Sequence, residues 1–334
     1  MNILVTGGLG FIGSHTVVEL IKAGHTPIVV DNLSNSSIEV LGRLERLTGH
    51  KIRTYVFDVS NRIKLNGVFD DENIDSVIHF AAFKAVGESV SEPLKYYRNN
   101  IEGLLTVLQV MEKKNVNYIV FSSSCTIYGE PDKVPIDEDA PFKPTTNPYG
   151  ETKQMAERIL NDVATESNLR VVSLRYFNPI GAHPSSLIGE LPNGTPNCLV
   201  PYITQATARL RLPLTVFGTD YTTPDGSGVR DYIHVVDLAR AHLNALMHLK
   251  KQKVAIDYFN IGTGKGISVL ELINTFEKVN SVKVPHKIGP RRQGDVACIF
   301  ADPSKARREL GWKAEKSLED ALRDAWNWQI SLNN

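Results

Sequence analysis

The fold is decided at the start of the chain, by the stretch Met1-Asn2-Ile3-Leu4-Val5-Thr6-Gly7-Gly8-Leu9-Gly10-Phe11-Ile12-Gly13. A short apolar run leads into a glycine turn, and a helical pattern begins near Phe11. Gly8, Gly10 and Gly13 fit G-x-G-x-x-G, a spacing in which missing side chains allow a tight turn, a close approach to a pyrophosphate and close helix-on-strand packing. The helix start adds free N–H groups and a positive dipole end for the same anion. This stretch therefore predicts a dinucleotide-binding unit.

The second apolar run, Pro27-Ile28-Val29-Val30, ends on an acid, Asp31. An acid about twenty residues beyond the glycine turn can accept hydrogen bonds from both hydroxyls of an adenosine ribose, and it would repel a 2′-phosphate. The pattern predicts NAD rather than NADP as the cofactor. A purely structural aspartate at a strand end is the alternative.

Length and composition indicate a globular protein with a large core. The chain has 334 residues, 42% of them hydrophobic, so we expect one large domain or two modest ones. Lysine plus arginine and aspartate plus glutamate both number 37, so no net charge recruits nucleic acid or an anionic membrane. The sequence shows neither a secretory signal pattern nor an apolar run of bilayer length. We expect a cytoplasmic protein with no nucleic-acid or membrane partner.

The residue types that bind metals are scattered along the chain. Cys125, Cys198 and Cys298 lack C-x-x-C spacing and a nearby histidine cluster, so neither a disulfide framework nor a zinc site is expected. The nine histidines are also dispersed. We expect no metal.

From Met1 to about Asn178, β-type runs alternate with helical patterns at the spacing of βαβ units. The runs are nearly continuous in Val, Ile and Leu, which is typical of strands covered on both faces. The predicted strands are Asn2–Thr6, Thr26–Asp31, Ile52–Phe57, Ser76–Phe80, Tyr118–Ser122 and Arg170–Leu174. The predicted helices include Phe11–Ala23, Ile38–Thr48, Leu94–Lys114 and Tyr149–Glu166. We expect an α/β fold in which residues 1–178 form a Rossmann-type, doubly wound parallel sheet that binds NAD.

The chain changes character after Asn178. Pro, Gly and Asn gather in Pro179–Pro201 and Gly218–Gly228, and no second glycine fingerprint follows. The predicted helices are Val200–Leu210, Val236–Leu249, Val269–Val279 and Leu318–Ile330. We expect residues 179–334 to form mainly a smaller α/β substrate-binding domain, with some chain returning to the first domain. Trp326 and Trp328 are expected to serve packing.

Three strand ends are expected to meet at the carboxyl edge of the sheet, where open α/β folds bind ligands. The first carries Asp58-Val59, suited to contact adenine, and the second carries Ala81-Ala82, small enough for a flat cofactor to lie close. The third ends on Ser122-Ser123-Ser124, whose hydroxyls are expected to point into the crevice, although serines after a strand often form only a turn. His79, in an apolar strand, is interpreted as a core histidine rather than a base.

Opposite these strand ends we place Tyr149-Gly150-Glu151-Thr152-Lys153. Pro148 suits the first turn of a helix and Asn147 or Thr146 can cap it, so Tyr149 and Lys153 should lie one turn apart on one face. A phenol with an ordinary pKa near ~10 is a weak base at neutral pH. A nearby ammonium, a helix N-terminus and a cationic nicotinamide all favour the phenolate and bring its pKa toward the operating pH. A surface pair is the alternative.

Together these motifs resemble an extended short-chain dehydrogenase/reductase, and specifically the UDP-glucose 4-epimerase family, over essentially the whole chain. The glycine turn and the Tyr-x-x-x-Lys pair mark the superfamily, and the later motifs are specific to nucleotide-sugar epimerases. The motifs are Thr6–Gly13, Asp31-Asn32-Leu33-Ser34, His79-Phe80-Ala81-Ala82, Tyr149–Lys153, Arg175-Tyr176-Phe177-Asn178, Gly228–Val235 and Arg291-Arg292-Gln293-Gly294-Asp295.

The resemblance implies a mechanism. Tyr149, helped by Ser124, takes the proton of the sugar 4-hydroxyl while hydride passes from C4 to tightly bound NAD⁺. The 4-keto sugar then turns over and takes the hydride back on its other face. Lys153 binds the nicotinamide ribose and favours the phenolate of Tyr149.

The resemblance also implies two sets of binding residues. The NAD set is Gly7, Gly8, Gly10, Phe11, Ile12, Gly13, Asp31, Asn32, Leu33, Ser34, Asn35, Ser36, Asp58, Val59, Phe80, Ala81, Ala82, Lys84, Asn99, Ser124, Tyr149, Lys153 and Phe177. The UDP-sugar set is Ser124, Tyr149, Asn178, Cys198, Leu199, Val216, Phe217, Arg230, Tyr232, Arg292, Asp295 and Ile299. A guanidinium can grip a diphosphate bidentately, so arginines suit the second set.

Two positions depart from the family. Relatives usually carry a second asparagine where this chain has Cys198, and either a bulky tyrosine or a smaller residue where it has Ile299. Because isoleucine is intermediate in size, we expect UDP-glucose and UDP-galactose as the main pair, with measurable activity on the N-acetylated pair. A one-residue shift of register would place Cys298 at the gate instead.

Competing functions lack residues that they require. A nucleotide-sugar dehydratase carries Asp-Glu after the strand-end hydroxyl, and a related decarboxylase also places an acid there, whereas this chain has Cys125-Thr126. A non-catalytic NAD-binding protein would be expected to lose Tyr149, Lys153 or Ser124, and all are present. The family also implies a homodimer built on a bundle of the helices Leu94–Lys114 and Tyr149–Glu166.

Overall fold

The computed structural model describes residues 1–292 and 295–332. Its centre is a seven-stranded parallel sheet in the order β11-β6-β5-β4-β1-β2-β3. These strands are β1 Asn2–Thr6, β2 Thr26–Asp31, β3 Arg53–Val56, β4 Ser76–His79, β5 Tyr118–Ser124, β6 Arg170–Tyr176 and β11 Ile256–Ile261. The predicted Rossmann-type parallel sheet is confirmed.

All six predicted strands lie in this sheet, with small differences at their ends. β3 and β4 are shorter than predicted, and β5 and β6 each run two residues further, to Ser124 and Tyr176. The extensions pair with each other, Ser123 with Arg175 and Ser124 with Tyr176. Ser124 is therefore the last residue of a strand rather than part of a loose turn. The seventh strand, β11, was not predicted.

The helices cover both faces of the sheet, as the apolar strands predicted. They are α1 Phe11–Lys22, α2 Glu39–Thr48, α3 Arg62–Glu72, α4 Val86–Ser91, α5 Pro93–Tyr97, α6 Gly103–Lys113, α7 Pro148–Thr165, α8 Leu199–Thr207, α9 Val235–Leu249, α10 Val269–Asn280 and α11 Leu318–Ser331. α1, α2 and α9 share a core with Ile3 and Val5, while α3, α6 and α7 share one with Leu4. Burying each such side chain contributes about 1.5–3 kcal/mol.

The predicted helix Leu94–Lys114 is wrong as a single helix. The chain forms α5, then a π-helical turn at Arg98–Glu102, and then α6. π-Turns are often found at functional sites, because the extra residue redirects side chains. Here the turn carries Asn99, one of the predicted NAD residues, and its neighbour Asn100.

The second half of the chain adds three small sheets. β7 Asn178–Ile180 pairs with β10 Tyr232–His234, β8 Leu214–Phe217 pairs with β13 His286–Gly289, and β9 Val229–Arg230 lies between β12 Ile267–Ser268 and β14 Cys298–Ile299. None of these strands was predicted. α8, α10 and α11 enclose a separate core, against which Trp326 packs.

Three further features bear on the sequence predictions. Trp328 is buried and donates from Nε1 to the carbonyl of Glu190 at 3.0 Å, which agrees with a packing role. Cys125, Cys198 and Cys298 are free thiols. Among the described residues, no helix is long and apolar enough to cross a membrane.

Candidate active site

The glycine turn after β1 is built on Gly7 rather than on Gly8. Gly7 has φ +70°, and a Cβ there would lie 3.0 Å from the amide nitrogen of Ala81. Gly8 instead packs on Val29, where a Cβ would meet methyl groups at 2.8 Å. A Cβ on Gly13 would lie 2.9 Å from the Cα of Gly8 and closer still to the carbonyl oxygen of Gly7. The working spacing is therefore Gly7-x-x-Gly10-x-x-Gly13.

This turn fits the pyrophosphate of NAD. α1 begins at Phe11, and no side chain caps its Gly10 end. A helix N-terminus of this kind offers backbone N–H groups and a positive dipole end to an anion. Beside the turn lies the segment after β4, since a Cβ on Gly7 would meet backbone atoms of Phe80 and Ala81. Ala82 follows in the chain, and Lys84 Nζ lies 6.0 Å from the centre of the Phe11 ring.

Asp31 ends β2, as predicted, and is 7% exposed. Its Oδ2 accepts from the amide of Leu9 at 3.0 Å, and its Oδ1 accepts from the amide of Leu33 at 2.9 Å and from Ser36 Oγ at 2.8 Å. A carboxylate has about four lone-pair sites, so one site remains for a ribose hydroxyl, whereas the sequence predicted contacts to two hydroxyls. Asp31 also fixes the glycine turn to the loop after β2.

The remaining residues predicted for the adenosine half surround this loop. Asn32 Nδ2 donates to Asp58 Oδ2 at 2.8 Å, and Asn32 Oδ1 accepts from the amide of Ser34 at 3.0 Å. Asn35 is exposed beside them, and Val59 is buried in the core that α3 and α6 share. Burial raises the pKa of Asp58, but hydrogen bonds from Ser60 and Asn32 outweigh burial and leave that pKa below its usual value.

His79 is a core histidine, as the sequence predicted. Its Nδ1 lies 2.8 Å from Thr6 Oγ1, and its ring stacks on Phe121 at 6.2 Å between centroids. Burial, with a smaller effect from the charge of Lys153, lowers its pKa to about 3. The imidazole is therefore neutral at physiological pH.

The three serines at the end of β5 have different surroundings. Ser122 Oγ is hydrogen-bonded to the Tyr176 hydroxyl, and Ser123 Oγ is buried without a partner among the described residues. Ser124 Oγ accepts from the amide of Thr126 at 3.3 Å, and its hydroxyl lies near enough to Tyr149 to lower the pKa of that phenol. The prediction that all three hydroxyls point into the crevice is wrong, because the Ser122 hydroxyl is hydrogen-bonded to Tyr176 of β6. Of the three serines, Ser124 is the one that lies near Tyr149.

α7 positions Tyr149 and Lys153 one turn apart, as the spacing predicted. Asn147 Oδ1 accepts from the amide of Gly150 at 2.9 Å and Pro148 occupies the first turn, so the helix begins at a fixed point. Lys153 Nζ donates to the carbonyl of Ser122 at 2.6 Å and lies 5.9 Å from the centre of the Tyr149 ring. α7 is thereby held on the end of β5.

Burial is the largest influence on the pKa values of both Tyr149 and Lys153. Burial raises the pKa of Tyr149 to about 12, while the neighbouring Ser124 hydroxyl and the charge of Lys84 act to lower it. Burial lowers the pKa of Lys153 to about 8, against the charge of Glu157. The predicted shift of the Tyr149 pKa toward the operating pH also counted the cationic nicotinamide of bound NAD⁺, so it stays a prediction for the holoenzyme.

Arginines predicted for the UDP-sugar meet around one carboxylate. Arg292 donates to Asp295 from Nη2 at 2.6 Å and from Nε at 3.2 Å, and Arg230 Nη2 lies 3.8 Å from the same carboxylate. Two guanidiniums on one carboxylate leave a net positive charge, which suits a diphosphate. Phe217, at the end of β8, lies under Arg292. Gln293 and Gly294 of this motif lie outside the described residues.

The other predicted substrate residues lie on neighbouring elements. Asn178 pairs with Tyr232 between β7 and β10, Val216 is buried in β8, and Leu199 begins α8. Phe177 directly precedes Asn178 and is buried. Cys198 Sγ lies 3.9 Å from Lys84 Nζ, which also pairs with Glu190 at 2.7 Å.

Ile299 pairs with Arg230 between β14 and β9. It is buried in a cluster that includes Cys125, the residue after Ser124, and Phe177. Cys298 is half-buried, and burial raises the pKa of its thiol, while the positive charge of Arg230 acts to lower that pKa. Ile299 is therefore the residue of this pair that packs with the neighbours of Ser124.

Sequence reasoning missed two buried polar residues that hold the site together. Asn100 Oδ1 accepts from the amide of Phe83 at 2.8 Å, and Asn100 Nδ2 donates to Thr152 Oγ1 at 3.1 Å, so the loop after β4 is tied to α7. Asn99 Nδ2 donates to the same Oδ1 at 2.9 Å. The second residue is Glu157, two turns beyond Tyr149 on α7. Only its four-residue spacing from Lys153 was readable in the sequence.

Comparison with known proteins agrees with this geometry. The family model described as the NAD dependent epimerase/dehydratase family matches residues 3–262. A UDP-glucose 4-epimerase of Dictyostelium discoideum is 55% identical over 333 residues, which are 99% of this chain and 96% of the relative. One of Bacillus subtilis (strain 168) is 54% identical over 335 residues, covering 100% of this chain and 98% of the relative.

A solved structure gives the same result. The crystal structure of a UDP-glucose 4-epimerase from Stenotrophomonas maltophila, with bound NAD and formylated UDP-arabinopyranose, superposes with a TM-score of 0.97 at 49% identity. The match covers 100% of this chain and 99% of that one. The chain therefore belongs to the NAD-dependent epimerase/dehydratase family, and within it to the UDP-glucose 4-epimerases.

Proposed function

We propose that this chain interconverts UDP-galactose and UDP-glucose, and that it does so with the residues described above. The observation that carries the proposal is the convergence of Ser124, Tyr149 and Lys153 at the end of β5. The glycine turn lies at the same carboxyl edge of the sheet. A pair of arginines supplies the anchor for a diphosphate.

The glycine turn, Asp31 and the strand ends would hold NAD⁺, and the bound cofactor would provide a reversible acceptor for the hydride on C4 of the sugar. Tyr149 takes the proton of the 4-hydroxyl and returns it in the second half of the reaction, and the nearby Ser124 hydroxyl favours the phenolate. Because burial raises the pKa of Tyr149 to about 12, a strong base forms here only when positive charge is close to the ring. Lys153 holds one such charge 5.9 Å from the ring centre.

The substrate is anchored by its nucleotide, which leaves the sugar free to turn. Arg230 and Arg292 hold the diphosphate, with Asp295 fixing both side chains. The remaining residues proposed to contact the UDP-sugar are Asn178, Cys198, Leu199, Val216, Phe217, Tyr232 and Ile299. The thiol of Cys198 is a poor substitute for an amide, and burial raises its pKa to about 11.

A dehydratase activity is disfavoured by the residue after Ser124. That reaction needs an acid–base pair at this position, and this chain has Cys125 there instead. Burial raises the pKa of the Cys125 thiol to about 12. The thiol therefore stays protonated and cannot act as a base near neutral pH.

A second substrate pair, the N-acetylated UDP-hexoses, is favoured as a minor activity by Ile299, which packs beside the Ser124 strand end. We expect purified enzyme to turn over UDP-galactose faster than UDP-N-acetylgalactosamine, with both rates measurable in side-by-side assays. Ile299→Tyr should suppress the N-acetylated reaction selectively, since overpacking a pocket costs ~1–3 kcal/mol. Ile299→Val is the matched control and should spare both reactions. Equal losses on both substrates would show that Ile299 does not gate the pocket.

We also propose that the chain acts as a homodimer through the helices around α7. α5 packs against α7, and the outer surfaces of this bundle carry exposed apolar side chains, Val90, Leu94, Leu105 and Val163. Leu94 is 81% exposed. A second copy of the same bundle is the occupant that would cover these side chains.

Sedimentation velocity tests the dimer. Wild-type protein should sediment as a dimer, and Leu94→Glu as a monomer, because burying an unpaired carboxylate opposes association. Ile63→Glu is the matched control, since Ile63 is 87% exposed on α3 and lies outside the bundle. A monomeric wild type, or the same response in both variants, would overturn the proposal.

We place the enzyme in the cytoplasm, because its three free thiols suit a reducing compartment.

A further inference from the structure

Glu157 and Arg175 form a buried ion pair beneath the catalytic end of α7. Glu157 is 1% exposed and Arg175 is 3% exposed. Arg175 donates from Nε to Oε1 at 3.1 Å and from Nη2 to Oε2 at 2.7 Å, and Ser173 Oγ donates to Oε1 at 2.9 Å. Desolvation makes such pairs weak contributors to stability, and their best-attested use is to fix one register. The pair therefore calls for an explanation other than stability.

The other contacts of Arg175 lead to the strand end that carries Ser124. Its Nη1 donates to the Tyr128 hydroxyl at 3.0 Å and to the carbonyl of Glu138 at 3.1 Å. Tyr128 closes the short turn that begins directly after Ser124. The pair thus joins α7, through β6, to the segment that positions the partner of Tyr149.

Glu157 also acts on Lys153. Tyr149, Lys153 and Glu157 recur every four residues, so they lie along one face of α7. Burial lowers the pKa of Lys153, and Glu157 is the charge that opposes this. Without a carboxylate at residue 157, the ammonium beside Tyr149 would lose its proton at a lower pH.

We propose that Glu157 is a positioning residue for the epimerase reaction. Clamped by Arg175, its carboxylate sets the register of α7 against the end of β5 and supplies the counter-charge that keeps Lys153 cationic beside Tyr149. The inference rests on the epimerase function proposed above.

Other ionisable groups face this cluster from every element packed on it. Around Glu157 they are Tyr128 after β5, Glu138 in the following loop, Tyr258 and Asp257 of β11, Lys305 beyond it, Asp162 on α7 and His79 of β4. Around Tyr149 they are Lys84, Tyr96, Cys125, Tyr176 and Cys198. Burial raises the pKa of Tyr258 to about 12 and lowers that of His79 to about 3. Burial also raises the pKa of Tyr128. Of the groups with these shifts, only Lys153, at about 8, titrates between about pH 7 and 10.

The test compares wild-type, Glu157→Gln and Ser173→Ala holoenzymes across pH. One readout is kcat for UDP-galactose, and the other is the tyrosinate absorbance of Tyr149, obtained by subtracting the spectrum of the matching Tyr149→Phe protein. In Glu157→Gln the alkaline fall of kcat should move to lower pH by about one unit or more, and the Tyr149 tyrosinate should form at higher pH. Ser173→Ala keeps the charge and loses one hydrogen bond, so it should move both curves less, in the same directions.

Glu72→Gln is the matched control. Glu72 is likewise buried and accepts from an arginine, Arg53, and a tyrosine, Tyr55, but it lies on α3 away from the site. It should leave both pH curves in place even if thermal stability falls. If Glu157→Gln folds and its curves coincide with wild type, or if Glu72→Gln moves them equally, the proposal is overturned.

Two further outcomes are decisive. If Glu157→Gln does not fold, Ser173→Ala decides alone, and wild-type curves in that variant overturn the proposal. If wild-type protein shows no turnover while the tyrosinate curve shifts as expected, the epimerase function fails and the positioning role stands.

Discussion

Tyr149→Phe should lower kcat for UDP-galactose by roughly 10²–10⁴-fold, which is the usual contribution of a positioned acid–base group. The substitution removes one oxygen and leaves the ring, so α7 should keep its packing on β5 and the protein should still retain NAD. The measurements are steady-state kcat and the NAD released from denatured, purified protein. A loss confined to kcat places the defect in proton transfer.

Tyr118→Phe is the matched control for this prediction. Tyr118 is half-buried at the opposite end of β5. Its loss of the same oxygen should leave kcat unchanged. A kcat for Tyr149→Phe comparable to wild type would remove Tyr149 from the mechanism.

Gly13→Ala should abolish activity by preventing cofactor binding. A Cβ at this position would lie 2.9 Å from the Cα of Gly8 and closer still to the carbonyl of Gly7. These are backbone atoms of the turn that faces the pyrophosphate, so the turn itself must move. Overpacking of this kind typically costs ~1–3 kcal/mol of stability. The protein should purify without NAD, and added NAD⁺ should fail to raise its melting temperature.

Gly67→Ala is the control, because a Cβ on Gly67 of α3 would meet nothing within 4 Å. It should stabilise the fold by about 0.5–1 kcal/mol through the better helix propensity of alanine. NAD retention by Gly13→Ala at the wild-type level would show that α1 and the turn can separate without harm to the site.

Local sequence decided most of the sheet. Apolar runs such as Ile3–Val5 and Ile28–Val30 are buried on both faces, so their pattern is readable without a partner. β11 was not predictable, because Asp257 and Asn260 interrupt its apolar run and because it lies at the edge of the sheet. The π-helical turn at Arg98–Glu102 was not predictable from the sequence, because a change of helical pitch leaves the apolar periodicity almost intact.

The site residues were predictable where their spacing along a single helix or turn determines their relative positions. The positions of the tyrosine and lysine of α7 follow from helical geometry. Gly7, which makes the turn, directly precedes Gly8, the first glycine that fits G-x-G-x-x-G. The support of the site was not predictable. Glu157 and Asn100 depend on partners in other elements, Arg175 and Phe83, and such pairings leave no local signal. The pKa of Tyr149 was not predictable for a related reason, because it depends on how elements distant in sequence surround this half-buried side chain.

The edge strand β11 has a consequence for biosynthesis. β6 ends at Tyr176, but its outer neighbour is not made until residue 261, and α9, which covers the same sheet, ends at Leu249. When only the first 178 residues have left the ribosome, the nascent chain therefore exposes an unpaired edge of β6 and an uncovered apolar face of the sheet. Exposed strand edges and apolar surfaces favour association with other chains. The sheet of the nucleotide-binding half is therefore complete only after the chain has been translated through β11, and a chain cut after residue 178 would lack both β11 and α9.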